Sequence, residues 1–200
     1  MADRTLHYYF TPVSPYAYLG HARLLEIARE SGVRIAPKPV DYGRIFAASG
    51  GLPLAKRAPQ RQAYRQVELR RWSDFLHIPL NVQPAFFPCA ADVPSRWILA
   101  ASEENPARAV DLCGATGRAL WAEERNPADA ATLAALATDC GLDARALAER
   151  AASPELVSYY DLLTQQAIDA GVFGAPTYIV DGELFWGQDR LDFLARKLAK

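Results

Sequence analysis

The stretch LHYYFTPVSPYAYLG, from Leu6 to Gly20, constrains the fold more than any other. Leu6 to Phe10 is an apolar run of strand length, and Pro12 ends it. Ser14 then stands where a helix N-cap is wanted, and Pro15 where the first helical residue is wanted. Leu19, Ala22, Leu24, Leu25, Ile27 and Ala28 give the following helix, Pro15 to about Glu30, a broad apolar face. Gly32 supplies the left-handed residue that closes it. A strand therefore runs into a helix whose opening turn carries a serine hydroxyl and free backbone N–H groups. Such a turn attracts an anion.

Val33 to Val40 reads as a second strand. Pro37 and Pro39 push it to a sheet edge or a strand end, because proline cannot donate to a ladder. Strand, helix and strand make a βαβ unit with parallel strands and a right-handed connection. Asp41 to Phe46 leaves that strand, and Ala48 to Pro53 is a loop by composition. Pro59 to about His77 reads as a helix, with Tyr64, Val67, Leu69, Trp72, Phe75 and Leu76 at helical spacing. Arg61, Arg65, Glu68, Arg70 and Arg71 take its wet side. Pro79 to Pro88 is irregular. Further helices are expected at about Ser95–Ser102, Pro106–Glu124, Ala128–Cys140, Ala144–Ala151 and Pro154–Ala170. The tail changes to strand, Ala175 to Val180, a two-residue Asp181-Gly182 turn, and a return strand, Glu183 to Trp186. A last helix, Asp189 to Leu198, is capped by Asp189 and turns Leu191, Phe193, Leu194 and Leu198 inward.

The two ends are rich in strand and the middle is helical. Neither a lone βαβ unit nor a lone hairpin can bury its faces, so the ends must pair into one four-stranded sheet. That arrangement is an α/β, thioredoxin-like fold with a large all-helical insertion. Residues 1–46 and 171–200 would form the thioredoxin-like domain and residues 47–170 the insertion.

Composition narrows the partners. The formal net charge is -1, with no basic excess for nucleic acid or a membrane surface. No apolar run approaches the ~20 residues of a membrane span. Met-Ala-Asp-Arg-Thr runs straight into the first strand, so no leader is expected and the location should be cytoplasmic. Cys89, Cys113 and Cys140 are odd in number and scattered, which argues against a disulfide framework. With His7, His21 and His77 they give no metal-ligand spacing. Trp97 and Trp121 belong either to the core or to a subunit interface.

In a thioredoxin fold the first helix opens on the reactive C-x-x-C. Here Ser14-Pro15-Tyr16-Ala17 holds that place without either sulfur, so no dithiol–disulfide cycle can run there. What remains is the stabilisation of a thiolate brought from elsewhere; taken on Ser-Pro alone, Ser14 reads as a plain N-cap. Pro176 is a candidate for a cis bond that turns the backbone of Ala175 outward, ready to pair with an extended peptide. Ordinary punctuation before a strand is the other reading. Trp186-Gly187-Gln188-Asp189-Arg190 makes either a capped helix with a core aromatic or a polar pocket. In the pocket, Gln188 and Asp189 would face an amine and a carboxylate. Glutathione has an extended backbone, a thiol and a γ-glutamyl end with both charges, and the three pieces match its three parts.

F-x-x-x-S-P-Y-A-Y-L near the start, with G-V-F-G-A-P-T and G-E-L-F-W-G-Q-D-R-L-D-F near the end, resembles the 2-hydroxychromene-2-carboxylate isomerase family. Those proteins are similar to kappa-class glutathione transferases and to the DsbA-type thioredoxin fold. The resemblance implies glutathione as cofactor, with Ser14 as the catalytic residue beside its sulfur. It also implies a backbone contact at Ala175 and contacts from Trp186, Gly187, Gln188 and Asp189. The family's D-x-x-R falls on Asp41 and Arg44, which would set Arg44 against a substrate carboxylate. Lys56 and Phe86 are counted with the substrate side, and Tyr16 and Phe46 as further aromatic walls. The implied activity is a glutathione-dependent isomerisation of an aromatic 2-oxo acid or chromene carboxylate by reversible thiolate addition. A kappa-like transferase or peroxidase, and a non-catalytic thiol- or peptide-binding module, stay open as alternatives, as does a homodimer.

Overall fold

The computed structural model describes residues 4–199. Residues 1–3, where the leader-free start was expected, lie outside the described residues, as does residue 200. Strands β1 (Thr5–Phe10) and β2 (Arg34–Pro39) flank helix α1 (Pro15–Ser31), and β3 (Thr177–Val180) and β4 (Glu183–Trp186) close the chain's far end. The four strands form one sheet in the order β2-β1-β3-β4. β1 and β2 are parallel, and the other two pairings are antiparallel. This is the thioredoxin-like fold expected from the sequence.

Prolines explain why β2 takes the edge. The N–H groups of Arg34 and Val40 donate to Arg4 and Phe10 of the neighbouring segment, at 3.0 Å each. Alternation along the strand then turns positions 37 and 39, both proline, away from β1, where no donor is needed.

Between the sheet's halves run α2 (Tyr42–Ser49), α3 (Pro59–Leu76), α4 (Asp92–Glu104), α5 (Pro106–Trp121), α6 (Ala130–Asp139), α7 (Ala144–Ala151) and α8 (Pro154–Asp169). A last helix, α9 (Leu191–Leu198), follows β4. Helices α4 and α5 pack on β2, and α5 also packs on α1. One continuous apolar core therefore joins the sheet to the helices, and it includes Trp97. Trp97 and Trp121 are both buried within the chain.

Five sequence readings are corrected. Asp41 to Ser49 does not simply leave β2. The Asp41 carboxylate caps α2 by accepting from the Gly43 N–H at 2.7 Å, and Gly50 ends the helix at φ 76°. On α3, Leu69 is fully buried, but Tyr64, Val67 and Phe75 are exposed, while Arg65 is half-buried. Leu69, Trp72 and Leu76 turn inward and Arg61, Arg70 and Arg71 face solvent as read, but the inward face is narrower and takes in Arg65. At the C-terminus, Asp189 sits in a single 3-10 turn, Gln188–Arg190, and does not cap α9. Phe193 faces solvent while Leu191, Leu194 and Leu198 are buried. Ala22 of α1 is likewise exposed.

His21 of α1 packs so closely on α5 that a Cβ at Gly114 would stand 2.5 Å from its Nε2. Burial lowers its pKa from 6.5 to about 4, against a weaker opposing pull from Asp111. Unfolding exposes an imidazole that protonates below about pH 6.5, whereas the folded ring stays neutral down to about pH 4. Stability should therefore be full above pH 6.5 and fall as acid is added through that window, by up to about 3 kcal/mol. Denaturant titrations at pH 7 and pH 5 check this, and His21→Leu should flatten the difference.

Candidate functional site

The site is built where β1 ends. The chain turns at Thr11 and Pro12, and the Ser14 N–H donates to the Thr11 carbonyl at 2.9 Å. Ser14 is buried, extended at φ -80° and ψ 122°, and caps α1. Its Oγ accepts from the Ala17 N–H at 3.2 Å, and its carbonyl accepts from the Tyr18 N–H at 3.1 Å. A hydroxyl that accepts still holds its own proton. Among the described residues no acceptor takes that proton, and nothing pairs with the Tyr16 N–H. The neighbouring Thr11 Oγ1 is buried without a partner. The cap and the free donor are thus the same group.

The second wall is the turn before β3. The Ala175–Pro176 peptide is cis. Tyr9 pairs with Thr177, so the antiparallel register, continued two residues, puts Ala175 across from Thr11. No hydrogen bond among the described residues uses the Ala175 backbone. The turn is clamped at Gly174, whose carbonyl accepts from the Thr177 hydroxyl at 2.6 Å and from the buried Tyr42 hydroxyl at 2.9 Å. Tyr42 also reaches the Tyr9 carbonyl at 3.4 Å. The first residue of α2 therefore ties β1 to the cis turn.

The third wall leaves β4. Trp186 is 50% exposed, yet its ring is fixed between Phe173, at 4.8 Å, and the bare backbone of Gly174. Gly187, at φ 101°, donates to the Pro176 carbonyl at 2.9 Å, which binds this corner to the cis turn. A side chain there would meet the Asp189 carboxylate. Gln188 is buried against α1, where a Cβ on Gly20 would lie 2.7 Å from its own Cβ. The Asp189 carboxylate accepts from Arg190 at 2.7 Å and is more than one-third exposed.

The substrate-side residues named from the sequence fall into two places. Arg44 faces α8, where its guanidinium donates to the Asp161 carboxylate and the Gln165 amide oxygen at 3.3 Å each. Lys56 is exposed at the end of a single 3-10 turn, Leu54–Lys56, beside Arg57. Phe46 packs edge-on to Tyr42 and lies 5.9 Å beneath Arg57. Phe86 is 40% exposed, while its neighbour Phe87 packs on Trp121 at 5.0 Å. Tyr16, two residues past Ser14, lies within electrostatic reach of Arg57 and Arg65; burial raises its pKa. Two surface concavities elsewhere, of about 470 and 210 Å³, include neither Ser14 nor Ala175.

The model of the DSBA-like thioredoxin domain matches residues 5–199. The 2-hydroxychromene-2-carboxylate isomerase of Sphingobium xenophagum is 35% identical over 96% of this chain and 96% of its own. The chain belongs to the 2-hydroxychromene-2-carboxylate isomerase family. A solved 2-hydroxychromene-2-carboxylate isomerase superposes with a TM-score of 0.82 at 26% identity, covering 98% of this chain and 94% of that one. Human glutathione S-transferase kappa 1 is a more distant relative, 24% identical over 98% of this chain and 92% of its own.

Within this isomerase-family frame, sequence reasoning missed Tyr42, Phe173 and Arg65. An Asp N-cap, a short amphipathic run and a Gly-Gly stop were the available signals for α2, and so for Tyr42. Phe173 lies in the G-V-F-G-A-P-T motif, where nothing local assigns it a role. It matters because it holds Trp186. Arg65 was placed in solvent because α3 carries arginines and aromatics on every side.

Proposed function

We propose that this chain is an isomerase that uses glutathione to rearrange an aromatic 2-oxo acid or chromene carboxylate. The observation that carries the reading is the Ser14 hydroxyl, which caps α1 and keeps an unspent proton at a turn with no cysteine. Family membership supports the reaction class, and the glutathione transferase name of the human relative supports the cofactor. The chain's residues fit the tripeptide. Ser14 and the Tyr16 N–H offer donors for its sulfur, and the unpaired Ala175 backbone offers a strand-like edge for its middle residue. Trp186, Gly187, Gln188 and Asp189 would take its γ-glutamyl end. When bound, glutathione would supply a reversible thiolate nucleophile that is regenerated without oxidation.

The chain's own work is to hold and orient. Ser14 directs its proton at the sulfur, and each unit by which that lowers the thiol pKa favours the thiolate by ~1.4 kcal/mol. Gly174, Tyr42 and Gly187 fix the cis turn, so the tripeptide docks on a preset edge. Lys56 and Phe86, both exposed, would meet the aromatic substrate, and Arg44 would add a contact from its place on Asp161 and Gln165.

Turnover of 2-hydroxychromene-2-carboxylate should produce the benzylidene pyruvate with glutathione present in trace amounts and unconsumed. Stoichiometric loss of glutathione would make the protein a transferase. Undiminished turnover with glutathione removed would overturn the cofactor assignment.

A further inference from the structure

Arg65 is a charge without an answer. Its guanidinium carbon lies 5.4 Å from the ring of Phe87 and 5.7 Å from that of Trp121. Both distances are those of cation–π contacts. Among the described residues, no oxygen accepts from any of its five donors, and no carboxylate pairs with it. Burial lowers its pKa; the Tyr16 hydroxyl works against that shift, and the nearby positive Arg57 adds to it. Arg57 is held by the Leu52 carbonyl at 2.8 Å through Nε alone, and it too has no carboxylate partner among the described residues. Glu68, the acid in reach of Tyr16, accepts instead from the Tyr64 hydroxyl at 3.1 Å.

The Arg65 N–H groups stay open to solvent, so water serves them until a ligand arrives, while the Arg57 guanidinium within electrostatic reach adds repulsion. Such a pair is stable in use when an anion lies between them. Phe46, Phe87 and Tyr16 offer aromatic surface near the pair, with Trp121 fully buried against Phe87, and this suits a planar ring better than a phosphate. Arg44, the arginine the family pattern points to, already holds the carboxylate of Asp161.

We propose that Arg57 and Arg65 form a carboxylate-binding site that receives the acid group of an aromatic substrate, an assignment that rests on the isomerase reading for the identity of that substrate. The in-plane N–H groups of Arg65 grip the carboxylate as a fork while Phe87 and Trp121 hold the guanidinium's orientation. Arg57 closes the other side. The aromatic ring of the substrate then lies against Phe46 and Tyr16, in the direction of the α1 opening turn.

The test is direct binding without turnover. Quenching of tryptophan fluorescence measures the affinity of a benzylidene pyruvate and of its methyl ester, and calorimetry measures glutathione. The wild-type protein should bind the acid at least tenfold more tightly than the ester. Arg65→Met should remove that preference, Arg65→Lys should keep part of it, and Arg57→Gln should weaken the acid severalfold. Glutathione affinity should change less than twofold in all three. Arg57→Gln alters a loop residue and carries the test if Arg65→Met fails to fold. Acid binding unchanged in Arg65→Met overturns the proposal. So does a fall in glutathione affinity with acid affinity intact, which would give the site to the cofactor's glycyl carboxylate. A wild-type protein that prefers the acid through Arg65 yet shows no isomerase turnover sinks the function and leaves this site standing. Normal turnover with an unchanged KM in Arg65→Met does the reverse.

Discussion

Ser14→Ala should lower kcat by about 100-fold or more, the usual consequence of losing one donor aimed at developing or resident negative charge. The same change removes the cap on the Ala17 N–H, which should cost about 1 kcal/mol of stability. A protein that loses only the cap stays folded at assay temperature, so instability alone cannot account for that loss of rate. Ser14→Asp separates the two roles. Its carboxylate restores an acceptor for Ala17 and suits the positive end of the helix. It has no proton to give at neutral pH, and it repels a thiolate. Activity should stay lost in Ser14→Asp while melting recovers relative to Ser14→Ala. The ultraviolet absorbance of the bound thiolate gives a second readout, since its titration should move to higher pH in Ser14→Ala. An alanine variant with kcat within twofold of wild type, or an unmoved titration, would reduce Ser14 to a cap.

Gly174→Ala should weaken glutathione binding by about thirtyfold while lowering stability by only about 1 kcal/mol. The backbone of Gly174 is not among the left-handed glycines, so alanine meets no conformational penalty there. The new methyl instead overlaps the indole nitrogen of Trp186. That ring is half exposed and can swing outward, so the fold loses little more than the Phe173–Trp186 pair, worth about 0.5–1.5 kcal/mol. Binding loses an oriented tryptophan, typically about 2 kcal/mol, which is the thirtyfold. Calorimetry with glutathione and denaturant unfolding measure the two numbers. Trp186→Ala should bind glutathione as poorly as Gly174→Ala, and combining them should add almost nothing, because both remove the same contact. Additive losses would place Trp186 outside the ligand's reach.

Much of this architecture was legible locally. Caps, prolines and turn residues act on their near neighbours, so Ser14 at the head of α1, Pro37 and Pro39 on an edge strand and Asp181-Gly182 as a hairpin turn could all be read in order. The α2 helix was missed although its Asp41 cap was visible, because Gly50 and Gly51 made the segment look like loop. The start of α9 was misplaced for a related reason. Asp189 resembles a cap, but its carboxylate bonds the next residue and the turn tightens to 3-10.

Residue order and spacing required that strands at both ends share a sheet, that the first helix open on a serine, and that the turn itself carry no cysteine. These follow from periodicity, capping and residue identity, which operate over a few residues. Tertiary structure alone decided how much of α3 turns inward, since its charges and aromatics form no dominant stripe and packing fully buries only Leu69. It alone brought Arg65 onto Phe87 and Trp121, and Tyr42 onto a carbonyl 132 residues away. Contacts of that span depend on how whole elements dock, and no local pattern encodes them.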